Sequence, residues 1–388
     1  MDAQEALSGA RPRLLYLITE DWYFWSHRLD LARAVKNAGF EVLIAARVQD
    51  HKERIVREGL RLVPIGLLRR SRNPIREVAA VYELFRLYRA EKPDIVHHVA
   101  LKPILYGSVA ARLAGVRHVV NAFAGLGRVF TASGRGARLT RTLVGFALKW
   151  VLRGAGSVVI LQNGADRDRL IDEGIIRGDQ ARIIRGSGVN TEMFTPLPAA
   201  TGESVVMLAS RMLWDKGIGE FVDAVRLLKR RGTCARFVLV GRCDEDNPAS
   251  VPQEQLIQWQ KEGVVEWWGQ RDDMSLVLAS ASLVVLPTYY GEGVPKVLLE
   301  AASCGKAIVA TDIPGCREIV QHRVNGLLVP PKDVGALVEA IDMLLHNDQL
   351  RLALGRRGRE IVVKDFSVAT IAQQMLAVYR ELLNHTNR

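Results

Sequence analysis

Two glutamates eight residues apart, Glu292 and Glu300, lie in the stretch Tyr290-Gly-Glu-Gly-Val-Pro-Lys-Val-Leu-Leu-Glu300. A carboxylate accepts hydrogen bonds from two neighbouring hydroxyls at once. Between the glutamates, Gly293, Val294 and Pro295 read as the entry to a helix. Unpaired N–H groups and the helix dipole at such an entry favour a phosphate. Phosphate in the middle with hydroxyls on both sides is the outline of a sugar nucleotide. The spacing equally fits an ordinary strand-to-helix loop with two solvated glutamates. A second segment, Ser210-Arg-Met-Leu-Trp-Asp-Lys-Gly217, puts Arg211 and Lys216 in one turn. An arginine fork and a lysine point charge together suit a diphosphate; either alone reads as a surface charge.

Parallel α/β elements are expected to position these side chains. Ala281–Pro287 and Ala307–Thr311 read as strands flanking a short helix, with Pro295 at its first position and Gly305 just past its end. Ser204–Ala209 is a strand before the Arg211/Lys216 turn, and a helix over 217–230 follows. Cys234–Gly241 and Val264–Gly269 are further strands, the latter ending at Gln270 and Arg271. In the first half, Leu14–Thr19 is a strand, and 20–26 is a loop carrying Trp22, Tyr23 and Trp25 beside Phe24. The aromatics suit either a sugar or lipid acceptor, or packing between loop and core. A helix over 27–38 and a strand over 41–46 complete a βαβ unit. No G-x-G-x-x-G follows its first strand, which disfavours a nicotinamide dehydrogenase. His27 and Arg28 fall where strand ends open into a ligand crevice, or simply start a helix. Val78, Val81, Leu84, Phe85 and Tyr88 repeat at helical spacing over 77–90. The strand Asp94–Val99 brings His97, His98 and Lys102 toward the same crevice. Neighbouring strand residues face opposite ways, so the two histidines are not read as a metal pair. Arg117–Gly127 is a strand and glycine loop containing Asn121, Gly125 and Gly127. The segment 137–153 is amphipathic with only basic charges. It reads as a core-packing helix with snorkelling ends or as one lying on anionic lipid.

The net charge of +11 is uneven: residues 1–190 hold 31 Lys/Arg against 18 Asp/Glu, and the remainder 22 against 24. Residues 101–160 carry nine basic residues and no acidic one. A basic half points to an anionic partner: nucleic acid, membrane surface or phosphorylated acceptor. No nucleic-acid recognition motif accompanies the charge. Cys234, Cys243, Cys304 and Cys316 show neither metal spacing nor disulfide density, which suggests a reducing compartment. The start, Met-Asp-Ala-Gln-Glu, lacks signal-peptide character, and no apolar run is long enough to span a bilayer. Asp244-Glu-Asp246 is a D-x-D triplet, read as a solvated loop.

Taken together, the E-x7-E pair Glu292/Glu300, the Ser210–Gly217 segment, Asn325-Gly-Leu-Leu and Val329-Pro-Pro resemble the retaining, GT-B-fold glycosyltransferases of family four. Glu91–His98, Lys102-Pro-Ile-Leu-Tyr-Gly107 and Gly125-Leu-Gly127 resemble its branch acting on polyprenyl-diphosphate-linked sugars, as in capsule, O-antigen and N-glycan precursor assembly. The resemblance spans roughly residues 12 to 385. It implies an α/β fold of two facing doubly wound Rossmann-like domains, with the active site in the crevice between them. Residues 1–190 and a crossover helix over 366–388 would form the acceptor-binding, membrane-facing domain, and 191–365 the nucleotide-sugar domain. The activity implied is retaining, metal-independent transfer of a hexosyl group, N-acetylhexosaminyl above others, from a UDP-sugar to a polyprenyl-diphosphate-linked sugar. Arg211, Lys216 and Glu292 would act in catalysis. Arg271, Gly293, Val294, Pro295 and Glu300 would join them in holding the donor. Trp22, Tyr23, His27, Arg28, His98, Lys102, Asn121, Gly125 and Gly127 would line the acceptor site. No cofactor is expected, and the partners are the donor, the lipid-linked glycan and an anionic membrane surface, not nucleic acid. The place implied is the inner face of the cytoplasmic membrane. Much of the family carries a histidine in the glycine loop; Asn121–Gly127 has none. The alternatives are a UDP-sugar epimerase of the same fold and a basic nucleic-acid- or membrane-binding protein without catalysis.

Overall fold

The computed structural model describes residues 11–69, 73–127, 130, 134–154, 156–197, 202–244 and 247–384. The chain divides into two compact units, residues 1–187 with 371–388, and residues 188–370. Against the expected boundaries, the linker residues 188–190 and the start of the last helix, Val368–Asn384, fall with the second unit. They do so because Val189 pairs with Ser367 there.

Among the described residues, the first unit holds a seven-stranded parallel sheet. Its strands are β1 (Arg13–Glu20), β2 (Glu41–Arg47), β3 (Arg61–Pro64), β4 (Ile95–Val99), β5 (His118–Ala122), β6 (Ser157–Leu161) and β7 (Ala181–Ile183). Their order is β3-β2-β1-β4-β5-β6-β7. The second unit holds six parallel strands, β8 (Val205–Ala209), β9 (Arg236–Val240), β10 (Glu266–Trp267), β11 (Leu283–Leu286), β12 (Ala307–Thr311) and β13 (Leu327–Val329), ordered β10-β9-β8-β11-β12-β13. Each sheet is therefore doubly wound, as expected. Helices cover both faces, so the central strands are buried along their whole length and read as near-continuous apolar runs. In each unit the strand order reverses beside the first strand, between β1 and β4 and between β8 and β11. Ligands of doubly wound sheets bind at such switch points, beyond the carboxyl ends of the strands.

The aromatic segment after β1 is not a loop. Asp21–His27 is a helix, and Leu29–Asn37 a second one, broken at Arg28 with φ −127°. Asp21 fixes the first helix: its Oδ2 accepts the backbone N–H groups of Gln49 at 2.8 Å and His51 at 3.0 Å. Phe24 is buried beneath it, while Trp22, Tyr23 and Trp25 stay half-buried. The helical face over 77–90 also differs from the reading. In Pro74–Glu91 the inward side chains are Ala80, Leu84 and Tyr88, and Val78 is exposed with Ile75 and Tyr82. The last helix folds onto the first unit through Ile371, Met375 and Tyr379.

Candidate active site

The donor-type residues gather at the switch point of the second unit. The turn after β8 carries Arg211 and Lys216; the loop after β11 carries Glu292. Two backbone-level bonds stitch these loops together. Tyr289 donates its N–H to the Asp215 carbonyl at 3.0 Å, and Thr288 Oγ1 lies 3.0 Å from the same oxygen. The approach is close enough to require a glycine: at Gly217, φ is +78° and a Cβ would sit 2.2 Å from the Pro287 carbonyl. Lys216 Nζ meets Glu292 Oε1 directly. Both side chains keep only 13% and 12% of their exposure. Lys216 also lies over the Tyr290 ring at 5.6 Å. Thr288, fully buried, reaches Glu292 Oε1 at 3.3 Å and accepts the Tyr290 N–H at 3.2 Å. Arg211 Nη1 pairs with Asp244 Oδ2 at 2.6 Å.

Pro295 does not occupy the first helical turn. It is extended at ψ 118° and precedes the helix Lys296–Ser303, so it acts as the residue before the helix and sets its entry direction. Gly293, Val294 and Pro295 are buried, and the carbonyl of Gly293 lies so near Gly315 that a Cβ there would come within 1.8 Å. Glu300 lies on the fifth helical position, half-buried, with Lys296 Nζ 3.4 Å away. A second helix, Asp348–Asp365, holds this one in place: a Cβ on Gly355 would reach the Gly305 carbonyl at 2.1 Å. Arg271 is apart from this group. It is exposed and forks onto Asp273 at 2.6 and 2.8 Å.

Asp244 corrects the solvated-loop reading of the D-x-D triplet, because its carboxylate is largely buried against Arg211; Glu245 and Asp246 lie outside the described residues. Among the described residues no group of three or more His, Cys, Asp or Glu side chains is arranged to hold a metal ion. Thr288, Tyr290 and Asp244 are contributors that motif reading passed over. Asp244 was visible only as a triplet, and Thr288 only as the polar residue ending an apolar strand.

In the first unit the expected acceptor residues separate. His98 and Asn121 are fully buried and share a polar network inside the sheet. His98 Nδ1 is 2.9 Å from Asn121 Oδ1, and its Nε2 is 3.1 Å from the Tyr88 hydroxyl. Burial holds the His98 imidazole down to about 4 and outweighs its hydrogen bond to Asn121. The strand alternation sends His97 to the other face, against Tyr379. Lys102 is tied to Glu77 at 2.8 Å and to the Leu68 carbonyl at 2.6 Å, so it braces the helix Pro74–Glu91. Gly125 and Gly127 both have positive φ, +99° and +62°. At the carboxyl end of β1, Tyr23 stacks on His27 at 4.3 Å, and Ser26 Oγ is 2.6 Å from His27 Nδ1. Arg28 is buried at 3% exposure.

Residues 13–162 match the family described as Glycosyl transferase 4-like, and residues 203–347 match Glycosyl transferases group 1. The chain is 27% identical over 371 residues to the N,N'-diacetylbacillosaminyl-diphospho-undecaprenol alpha-1,3-N-acetylgalactosaminyltransferase of Campylobacter jejuni, covering 92% of this chain and 96% of that protein. It is 23% identical to the UDP-Gal:alpha-D-GlcNAc-diphosphoundecaprenol alpha-1,3-galactosyltransferase of Escherichia coli, over 84% of this chain and 85% of the other. In fold it is similar to HepE of Anabaena, solved with UDP and glucose, at a TM-score of 0.79 and 20% identity, covering 95% and 99% of the two chains. With a 4-like first half, a group 1 second half and two doubly wound sheets, the chain is a glycosyltransferase of the GT-B fold.

Proposed function

We propose that this enzyme moves a hexosyl group, an N-acetylhexosamine above others, from a UDP-sugar to a polyprenyl-diphosphate-linked sugar, with retention at the anomeric carbon. The carrying observation is the meeting of Lys216 and Glu292 across the switch point, with Arg211 in the same turn. The leaving group is a diphosphate, and Arg211 and Lys216 stabilise its growing charge. Glu292 holds sugar hydroxyls or shares charge with the oxocarbenium-like centre. Glu300, a turn and a half along the helix, holds the ribose. The sequence names no covalent nucleophile; same-face attack with the departing phosphate as base requires none, and no metal is required. The likeness to two enzymes named for undecaprenyl-diphosphate-linked sugars supports the acceptor class.

The reading places the enzyme on an anionic membrane surface, the inner face of the cytoplasmic membrane. The helix Arg135–Leu152 supports it. Leu148 and Leu152 are buried, while Leu139, Leu143, Phe146 and Trp150 form an exposed stripe at spacings of four, three and four residues. Arg138 and Arg153 are exposed and Lys149 half-buried beside it, and Arg112 lies over the Trp150 ring at 4.6 Å. No helix among the described residues is long and apolar enough to cross a membrane.

The test is direct. The protein is incubated with UDP-linked hexoses or N-acetylhexosamines and a short-chain prenyl-diphosphate-linked sugar, and the anomeric configuration of the product is read by NMR. An α-linked product is expected. A β-linked product removes retention from the reading, and an epimerised UDP-sugar without transfer replaces it by isomerisation.

A further inference from the structure

The first unit contains a buried cation without a counter-charge. Arg28 follows the helix beyond β1 and is 3% exposed. Among the described residues nothing accepts a hydrogen bond from its guanidinium, and no carboxylate forms an ion pair with it. Its Nε is sealed from solvent with no partner; the terminal nitrogens are not sealed. Beside it is His97, fully buried, whose Nε2 also has no partner. His97 faces Tyr16 across β1 and β4, with ring centroids 4.9 Å apart. Its Nδ1 lies 2.6 Å from the Tyr379 hydroxyl, which in turn is 3.1 Å from that of Tyr16.

These neighbours do not neutralise the arginine. Burial keeps the His97 imidazole well below its usual range, and the nearby Arg28 charge lowers it further. Burial pushes the Tyr16 hydroxyl up to about 12 and the Tyr379 hydroxyl well above its ordinary value. All three are neutral at pH 7. With the Tyr379 hydroxyl donating to Nδ1, the imidazole proton sits on Nε2, and it too has no acceptor. A buried unpaired charge and an unsatisfied buried N–H are each costly, and proteins tolerate few. Both here are donors, and both belong to the sheet's switch point, where ligands bind. The residue after β4 carries a second, independent mark. Ala100 has φ +76° and ψ 165°, a backbone conformation otherwise left to glycine, and such strain gathers at ligand sites.

We propose that Arg28, with the Nε2 of His97, forms an anion seat that grips the diphosphate of the acceptor. The guanidinium fork matches a phosphate through two parallel N–H bonds. That the anion is the acceptor's rests on the function proposed above; that the seat takes a diphosphate does not. Retention of the seat in the free protein then costs stability, which the bound anion restores.

Two arms test this and separate the two claims. The first uses the full chain carrying Arg211→Met and Lys216→Met, which removes the two cations proposed to hold the donor's diphosphate. Inorganic pyrophosphate is titrated by calorimetry. One binding event is expected, weakened at least tenfold by adding Arg28→Met. Adding Arg28→Met should leave the melting temperature unchanged or higher, since an uncompensated charge has been removed. Pyrophosphate binding indifferent to Arg28→Met, or a melting temperature that falls by many degrees with binding intact, overturns the seat and makes Arg28 a structural residue. The second arm is kinetic, in the otherwise native enzyme. Arg28→Met should raise the KM for the prenyl-diphosphate-linked acceptor more than tenfold and leave the KM for the UDP-sugar unchanged. Equal rises in both overturn the assignment to the acceptor. An enzyme that ignores lipid-linked acceptors, yet binds pyrophosphate through Arg28, keeps the seat and overturns the proposed function.

Discussion

Replacing Arg211 and Lys216 by methionine in turn separates catalysis from stability at the proposed donor site. Lys216 and Glu292 form a pair that is nearly out of water, at 13% and 12% exposure. Removing the lysine leaves a largely buried carboxylate that keeps the Thr288 hydroxyl at 3.3 Å but no cation in contact among the described residues. Breaking one side of a buried pair costs about 3–5 kcal/mol. Such a variant therefore loses stability as well as the cation. Arg211 is different: it is 30% exposed against Asp244, so its loss should cost about 1 kcal/mol or less after solvent screening. For the reaction the two should look alike. A group that stabilises charge developing on a leaving diphosphate contributes about 2–4 kcal/mol, or roughly 30- to 1000-fold in kcat/KM. The assay is kcat/KM for the UDP-sugar at saturating acceptor, below the melting temperature of each variant, with thermal denaturation alongside. Arg211→Met should lose activity and keep its melting temperature. Lys216→Met should lose both, and adding Glu292→Gln should recover stability without activity. Near-native kcat/KM in Arg211→Met would refute the clamp, and an unchanged melting temperature in Lys216→Met would refute the energetics of the pair.

Transfer should persist in excess EDTA; loss restored by Mn²⁺ or Mg²⁺ would refute metal independence and make Asp244 a candidate ligand. Sedimentation should occur with anionic and not zwitterionic vesicles, be released by salt, and weaken when Arg138, Arg141, Lys149 and Arg153 become glutamine; indifference of the wild type to anionic vesicles rules out docking by this helix. Burial raises the Cys304 thiol to about 11 and Cys316 beyond that, so iodoacetamide at pH 8 should label exposed Cys234 and spare both. His98 titrates at about 4 when folded and near 6.5 when unfolded. The unfolded chain therefore binds the proton first, and stability is full above pH 6.5 and lost as pH falls toward 4, by on the order of 3 kcal/mol. His98→Gln should flatten that part of the melting temperature's pH profile; an unchanged slope would refute it.

Strand identity was legible because parallel strands buried on both faces are uninterrupted apolar runs: Ala307–Thr311 was read to the residue. The site loops were legible because glycines and charges punctuate those runs. What escaped was anything decided by side-chain direction. His98 and Asn121 stand on adjacent strands in direct register, and the sequence does not show that they bond to each other inside the sheet. The segment 20–26 reads as a loop because its aromatics and serine are indifferent helix formers. Tertiary anchoring through Asp21 decides otherwise. Likewise Val78 has helical periodicity yet faces out, because the helix Pro74–Glu91 turns Ala80, Leu84 and Tyr88 inward.

The two units reach opposite electrostatic solutions on the same winding. At the switch point of the second, each cation of the site has a carboxylate: Arg211 with Asp244, Lys216 with Glu292, Lys296 with Glu300. An empty site of this kind is self-neutralised and costs little to keep. A ligand that takes the cations must then compete with the carboxylates, and a diphosphate, with its greater charge, does so better than a monophosphate. On the proposed roles, Lys216 turning to the ligand would release Glu292 to accept sugar hydroxyls, so one exchange would supply both contacts. The first unit keeps Arg28 without such a partner. A site that stays charged when empty does not depend on exchange, and any phosphate that reaches it relieves an existing penalty. The donor site should therefore discriminate strongly between UDP and UMP, and the Arg28 site should respond to diphosphate charge with little regard for what is attached.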